Sequence, residues 1–231
     1  MKKNTLELVF ILDRSGSMNG LEADTIGGYN ALINKQKAID GEVFVSTVLF
    51  NTETKVLHDR KPIADVAPLD ISDYEVGGCT ALLDAIGGAI HHIENIHKYA
   101  REEDVPEHTM FVITTDGMEN ASHSYDYTAV KRMIEQKKES KGWEFLFLAA
   151  NIDVAETASN IGIGADRAVN YRADSQGTQT IYAAVEDTVT QFRTKGAIHP
   201  LWSKPIEDDY KRRNEQKRVP LYRKLFRKKE G

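Results

Sequence analysis

The sequence predicts an α/β fold: a doubly wound, mainly parallel sheet of six strands with one antiparallel edge strand and helices on both faces. Three observations lead there. Leu6 to Leu12, Val43 to Phe50 and Met110 to Ile113 are near-continuous apolar runs, the pattern of strands covered on both faces. Segments with apolar residues at helical spacing separate them. Strand and helix then alternate along the chain, a rhythm that implies right-handed crossovers within one sheet.

Taken in order, Leu6 to Leu12 is a strand interrupted only by Glu7, and Asp13 to Ser17 is the turn that ends it. Ile26, Tyr29, Leu32, Ile33 and Gln36 mark a helix running to about Ile39. Val43 to Phe50 is the second strand. Thr54 to Asp59, shorter and more polar, follows the turn Asn51-Thr52-Glu53 and reads as a hairpin partner at the sheet edge. Leu82, Leu83, Ile86, Ala89, Ile90, Ile93 and Ile96 form one stripe of a long helix from Ala81 to about Ala100, whose Gly87-Gly88 pair is expected to let it approach the sheet. A strand at Thr109 to Thr115, a helix at Tyr127 to Lys141, a strand at Trp143 to Ala150, a short helix at Val154 to Asn160, a short strand at Ala168 to Tyr171 and a helix at Thr178 to Lys195 complete the pattern.

The chain has 231 residues, of which 41% are hydrophobic and 28% charged, which suits one large domain with a substantial core and a short extension. We place the domain at residues 1–203 and a basic extension at 204–231, because charge divides there. The formal net charge is −5, yet from Lys204 onward 11 Lys and Arg face 5 Asp and Glu, leaving 19 against 30 upstream. A single cysteine excludes an internal disulfide, the first apolar stretch is too short for a signal-peptide core, and no apolar run approaches the ~20 residues that span a bilayer. The expected location is cytoplasmic, with no membrane span.

Three polar clusters carry the chemistry: Asp13-Arg14-Ser15-Gly16-Ser17, Gly77-Gly78-Cys79-Thr80 and Thr114-Thr115-Asp116-Gly117. Two of them follow buried strands directly, where open α/β sheets place ligands. If those two strands are neighbours where strand order reverses, Asp13 and Asp116 enter one crevice. Ser15 and Ser17 add hydroxyls, and Thr80, at the start of the long helix, adds a third. An all-oxygen set without His or Cys favours Mg²⁺ or Mn²⁺ over Zn²⁺. Direct hydroxyl ligands, with carboxylates acting largely through water, would leave the ion electrophilic and one position open for a carboxylate from a partner protein.

At these residues the chain resembles the von Willebrand factor A domain family and its metal-ion-dependent adhesion site. Asp13, Ser15 and Ser17 match Asp-x-Ser-x-Ser, Thr80 lies in Gly-Gly-x-Thr-Ala-Leu-x-Asp-Ala-Ile, and Asp116 lies in Thr-Asp-Gly. The resemblance covers roughly residues 4–195 and implies strand order 3-2-1-4-5-6. It also implies a non-enzymatic, metal-dependent interaction module like the compact bacterial stand-alone members, including those associated with tellurite-resistance systems. Arg14 and Cys79 fill variable slots, where a bulky cation at Arg14 could alter which partner docks.

A rival from another class is a Mg²⁺-dependent phosphohydrolase of the haloacid dehalogenase type, with Asp13 as nucleophile and Asp116 as metal ligand. Those enzymes resemble Asp-x-Asp at the first strand; Ser15 holds the second place here, and no lysine motif lies between the loops. His91, His92 and His97 are not at i,i+3 or i,i+4 and read as a solvated helix face. Cys79 reads as a small buried residue, Gly162-Ile163-Gly164 as a loop, and Glu119, Asn120, Ser122 and His123 as the rim of the metal site. The tail is open to three readings: solvated, bound to an anionic surface, or folded back on the acidic body as a helix. The last is favoured, with Leu221, Tyr222, Leu225 and Phe226 as the apolar anchor and Pro220 at a helix start. Nucleic acid is not an expected partner, since no recognised motif is present and an acidic body repels phosphate.

Overall fold

The computed structural model describes residues 2–218. Six strands, β1 (Lys2–Asp13), β2 (Glu42–Phe50), β3 (Thr54–Pro62), β4 (Pro106–Thr115), β5 (Glu144–Ala149) and β6 (Ala168–Asn170), form one sheet in the order β3-β2-β1-β4-β5-β6. All neighbours pair in parallel except β2 and β3, which form the expected antiparallel hairpin at the edge. The helices are α1 (Glu22–Lys37), α2 (Leu82–Tyr99), α3 (Tyr127–Lys141), α4 (Val154–Asn160), α5 (Ser175–Lys195) and α6 (Lys204–Arg218).

Strand periodicity divides the interior into two cores. Leu6, Leu8, Phe10 and Leu12 of β1 point to one face, where α1 contributes Tyr29, Leu32 and Ile33 and α5 contributes Ile181, Val185, Val189 and Phe192. Val9 and Ile11 point to the other face, against Leu82, Ile86, Ile90 and Ile93 of α2, Val130 and Ile134 of α3, and Ala158 of α4. Both faces of the sheet are therefore covered, which is why the strands read as apolar runs rather than as alternating ones.

Glu7, the one interruption in the first run, is wholly buried on the α2 face. Arg60 Nε donates to its Oε2 at 2.7 Å, and His97 Nε2 lies 3.3 Å from the same oxygen. His97 also packs edge-on against Trp143. It is thus not part of a solvated face, although His92, exposed and paired with Asp59, is. The Gly87-Gly88 expectation is also corrected. A methyl on Gly87 would fall 2.4 Å from the Tyr125 ring, so the close approach is to the loop before α3, while Gly88 has nothing within 4 Å.

Helix α5 starts three residues before the apolar period begins. Asp174 caps it, accepting from Gly177 N at 2.9 Å, and a Cβ at Gly177 would lie 2.0 Å from the Arg172 carbonyl oxygen. Only glycine fits this tight approach of backbone to helix. Gly177→Ala is expected to cost about 1–3 kcal/mol through forced backbone displacement, read as a lowered midpoint in urea.

The C-terminal basic segment begins as a helix on the body. α6 packs on α5 and β6, burying Ile206, and Arg213 donates to both carboxylate oxygens of Asp174 at 2.7 and 2.9 Å. Just before it, Trp202 Nε1 donates to the Asp166 carbonyl at 2.8 Å. The anchor expected from Leu221, Tyr222, Leu225 and Phe226 lies outside the described residues.

Candidate metal centre

β1 and β4 run side by side with Leu12 opposite Thr114, so the residues that follow each strand share one crevice at the carboxyl edge of the sheet. Asp13 is fully buried there, and its carboxylate is the organising group. It accepts from Ser15 N at 2.6 Å and Thr115 Oγ1 at 2.7 Å, and more weakly from Asp116 N at 3.4 Å. The first of these bonds folds the turn back on itself, bringing Ser15 Oγ within 3.1 Å of Ser17 Oγ.

Thr80 arrives on a separate loop, stitched to the first by Gly16 N donating to Gly78 O at 3.1 Å and Gly77 N to Arg14 O at 2.9 Å. The hydroxyls converge on Gly117. A methyl at that position would lie 3.0 Å from Thr80 Oγ1, 3.1 Å from Ser17 Oγ and 3.9 Å from Ser15 Oγ. The structure thus gathers all five sequence-selected residues, Asp13, Ser15, Ser17, Thr80 and Asp116, into one cleft. Ser17 is exposed at its mouth and the other four are buried.

Burial raises the Asp116 carboxyl to about 6; the Asn151 amide opposes the shift and the neighbouring Asp13 charge adds to it. Two carboxylates this close and this dry repel each other, and a cation between them would relieve both. The donors present suit a hard divalent ion: carboxylate and hydroxyl oxygen alone. Among the described residues no group of three or more His, Cys, Asp or Glu is placed to hold a metal, so a soft-ligand cage does not compete.

Thr80 precedes the N-cap residue of α2, Ala81, which offers no side-chain cap, and the Thr80 hydroxyl makes no hydrogen bond among the described residues. The capping comes from the loop after β4. Glu119 Oε2 accepts from Leu83 N at 2.9 Å and Ser122 Oγ from Asp84 N at 3.0 Å. Asp84 reciprocates, accepting from the backbone N–H of His123, Ser124 and Tyr125 at 2.8–2.9 Å. Asn120 closes the pairing by accepting from Thr80 N at 2.9 Å and donating its own N–H to Thr80 O at 3.1 Å. Glu119, Asn120 and Ser122, expected as a rim, are thus a clamp between two loops.

Asn151 was not anticipated. It follows β5, adopts φ +58°, and its amide donates to Asp116 Oδ1. The available signal was that a third parallel strand ends beside β4. Cys79, expected to be buried, is exposed, its backbone N–H held by Thr52 Oγ1 at 2.9 Å.

No protein-family model and no curated protein matches the chain. Among solved structures it is similar to a von Willebrand factor type A protein from Catenulispora acidiphila, with TM-score 0.51 and 13% identity over 80% of this chain and 42% of that one. The fold is that of a von Willebrand factor A domain. Proximal thread matrix protein 1 from the mussel byssus, solved with a zinc-occupied MIDAS motif, is similar with TM-score 0.54 and 15% identity over 80% of this chain and 46% of that one. The D319A mutant of the PilB minor pilin from Streptococcus sanguinis is similar with TM-score 0.58 and 12% identity over 86% and 62%. The chain therefore spans between two-fifths and two-thirds of these proteins. In this von Willebrand factor A fold the cleft lies at the switch point between β1 and β4, where strand order reverses.

Proposed function

We propose that this chain is a metal-dependent protein-interaction module in which Asp13, Ser15, Ser17, Thr80 and Asp116 hold one Mg²⁺ or Mn²⁺. When bound, the ion supplies a positive centre with a coordination position for an Asp or Glu carboxylate of a partner protein. The observation that carries this reading is the convergence of three hydroxyls beside two buried carboxylates, with the Thr80 hydroxyl left out of helix capping. The zinc-occupied MIDAS of the mussel byssus protein supports the divalent-ion part.

The chain's own residues set the character of the site. Asp13 spends its oxygens on Ser15, Thr115 and Asp116, which leaves the hydroxyls as the accessible donors. Neutral hydroxyls cancel less of the ion's charge than carboxylates do, so its attraction for an outside anion is kept. The burial of Asp13 weighs against the phosphohydrolase. A nucleophilic Asp13 would need to meet the substrate directly, whereas a carboxylate that acts on an ion through water need not, and this one is wholly buried. A cytoplasmic location belongs to the same reading: Cys79 is a free exposed thiol, which suits a reducing compartment. Among the described residues no helix is long and apolar enough to cross a membrane.

The test is thermal unfolding with and without Mg²⁺ or Mn²⁺, backed by calorimetry. At a hundred times the dissociation constant the ion should add about 2.7 kcal/mol to the folded state, raising Tm by roughly 5–10 °C. No shift and no binding heat with either ion would remove the site. Small-molecule phosphatase turnover that vanishes in Asp13→Asn would replace the reading with the rival. Capture from a native lysate with and without chelator would then identify the partner.

A further inference from the structure

We propose that Arg14 is a second anion-binding group on the same face, so that the partner presents two carboxylates, one to the bound ion and one to the Arg14 guanidinium. This rests on the metal-site reading and deepens it by naming the partner's chemistry: an acidic segment carrying a pair of carboxylates.

The backbone of Arg14 is held at both its N–H and its carbonyl, while its side chain is held weakly. Its N–H donates to Phe50 O at 2.7 Å and its carbonyl accepts from Gly77 N at 2.9 Å, placing the residue between Asp13 and Ser15 at the cleft. The guanidinium, by contrast, has a poor resting place. Its Nη1 reaches Glu75 O at 3.5 Å, the outer limit of a hydrogen bond, and its Nε is buried with no partner. No ion pair holds it among the described residues. A buried unpaired donor costs on the order of 1–3 kcal/mol, so swinging out to a carboxylate loses little and recovers a bidentate, charge-assisted pair.

The surroundings direct that pair outward. Arg172 and Arg213 are both engaged by Asp174. Two acids of the loops around the cleft are turned inward: Glu119 accepts from Leu83, Ala121 and Ser122, and Asp84 from His123, Ser124 and Tyr125. Arg14 is a positive charge beside the site, without an ion pair among the described residues, on a chain whose formal net charge is −5. Because an arginine fork matches a carboxylate in shape as well as charge, it selects a second acid rather than merely attracting acidic surfaces. In an extended segment, acids two residues apart project from one face about 7 Å from each other, so a short acidic segment can present two carboxylates to one surface.

Two capped peptides test this on the full chain in saturating Mg²⁺: Gly-Asp-Gly-Gly-Gly and Gly-Asp-Gly-Asp-Gly, titrated against ¹⁵N-labelled protein and read by amide shifts around Ser15. Wild type is expected to bind the two-acid peptide about tenfold more tightly, the size of one charge-assisted pair. In Arg14→Gln the ratio should fall to about twofold, the statistical factor, while Mg²⁺ binds at least as well once the like charge is removed. Arg132→Gln, a change at an exposed arginine without an ion pair among the described residues, should keep the tenfold ratio. A wild-type ratio near two, a tenfold ratio surviving in Arg14→Gln, or no binding of either peptide to Mg²⁺-loaded protein would each overturn the proposal. Failure of Mg²⁺ itself to bind is seen before peptide is added and overturns the underlying site reading.

Discussion

Asp13→Ala is expected to lower the unfolding free energy by about 3–5 kcal/mol in chelator, where no ion contributes. The substitution strips acceptors from Ser15 N, Thr115 Oγ1 and Asp116 N in a place closed to solvent. Each strong donor left unpaired there costs on the order of 1–3 kcal/mol, and the cavity adds to it. Stability by urea titration should fall by that amount, and Mg²⁺ should no longer restore it. A loss under about 1 kcal/mol would mean that Asp13 serves the ion alone and does not organise the turn.

Asp116→Asn should behave in the opposite sense. Burial raises the folded-state carboxyl from 3.8 to about 6, so its ionised form is disfavoured in the fold by on the order of 1–3 kcal/mol at neutral pH. The penalty is present above pH 6 and fades as pH falls through 6 towards 3.8, because the folded state then takes up a proton the unfolded chain does not hold. In chelator at pH 7 the Asn variant should therefore melt above wild type, and wild type should gain stability from pH 7 to pH 5. With saturating Mg²⁺ the order should invert, since the variant lacks the charge that holds the ion. A variant that unfolds at room temperature in chelator would show that the carboxylate is structural, and a variant still stabilised by Mg²⁺ would show that Asp116 is not a donor.

Elements whose signal is local were legible in the sequence. The six strands and helices α1 to α5 follow from apolar runs, periodicity and turn residues, with boundaries shifted where backbone chemistry intervenes, as at the Asp174 cap of α5, whereas α6, dense in charge, carries no such pattern and was not read. That the five candidate residues would lie together was also legible, because each stands within a few residues of a strand end or helix start. What escaped is long-range. The bonds joining Leu83 and Asp84 to the loop after β4 cross 36 to 41 positions, and no local pattern announces a helix capped from so far away. Glu7 read as a blemish in a strand because its partners come from elsewhere: Arg60, held at φ +44° on β3, and His97 on α2. Cys79 looked buried by residue type, but its place on a loop tip, with Gly78 at φ +76° before it, turns it outward.

The clamp built by Asp84, Glu119, Asn120 and Ser122 bears on how fast and how tightly the cleft can be filled. Ordering two free loops around a ligand would cost on the order of 1–2 kcal/mol per residue in backbone entropy. Here that ordering is completed as the chain folds, since backbone groups on both loops are already tied across the gap. An ion entering the proposed site would meet oxygens that need not search for it. If the proposed site takes Mg²⁺, which gives up its waters reluctantly, the slow step of capture would be the loss of solvent from the ion and not the closing of the protein around it.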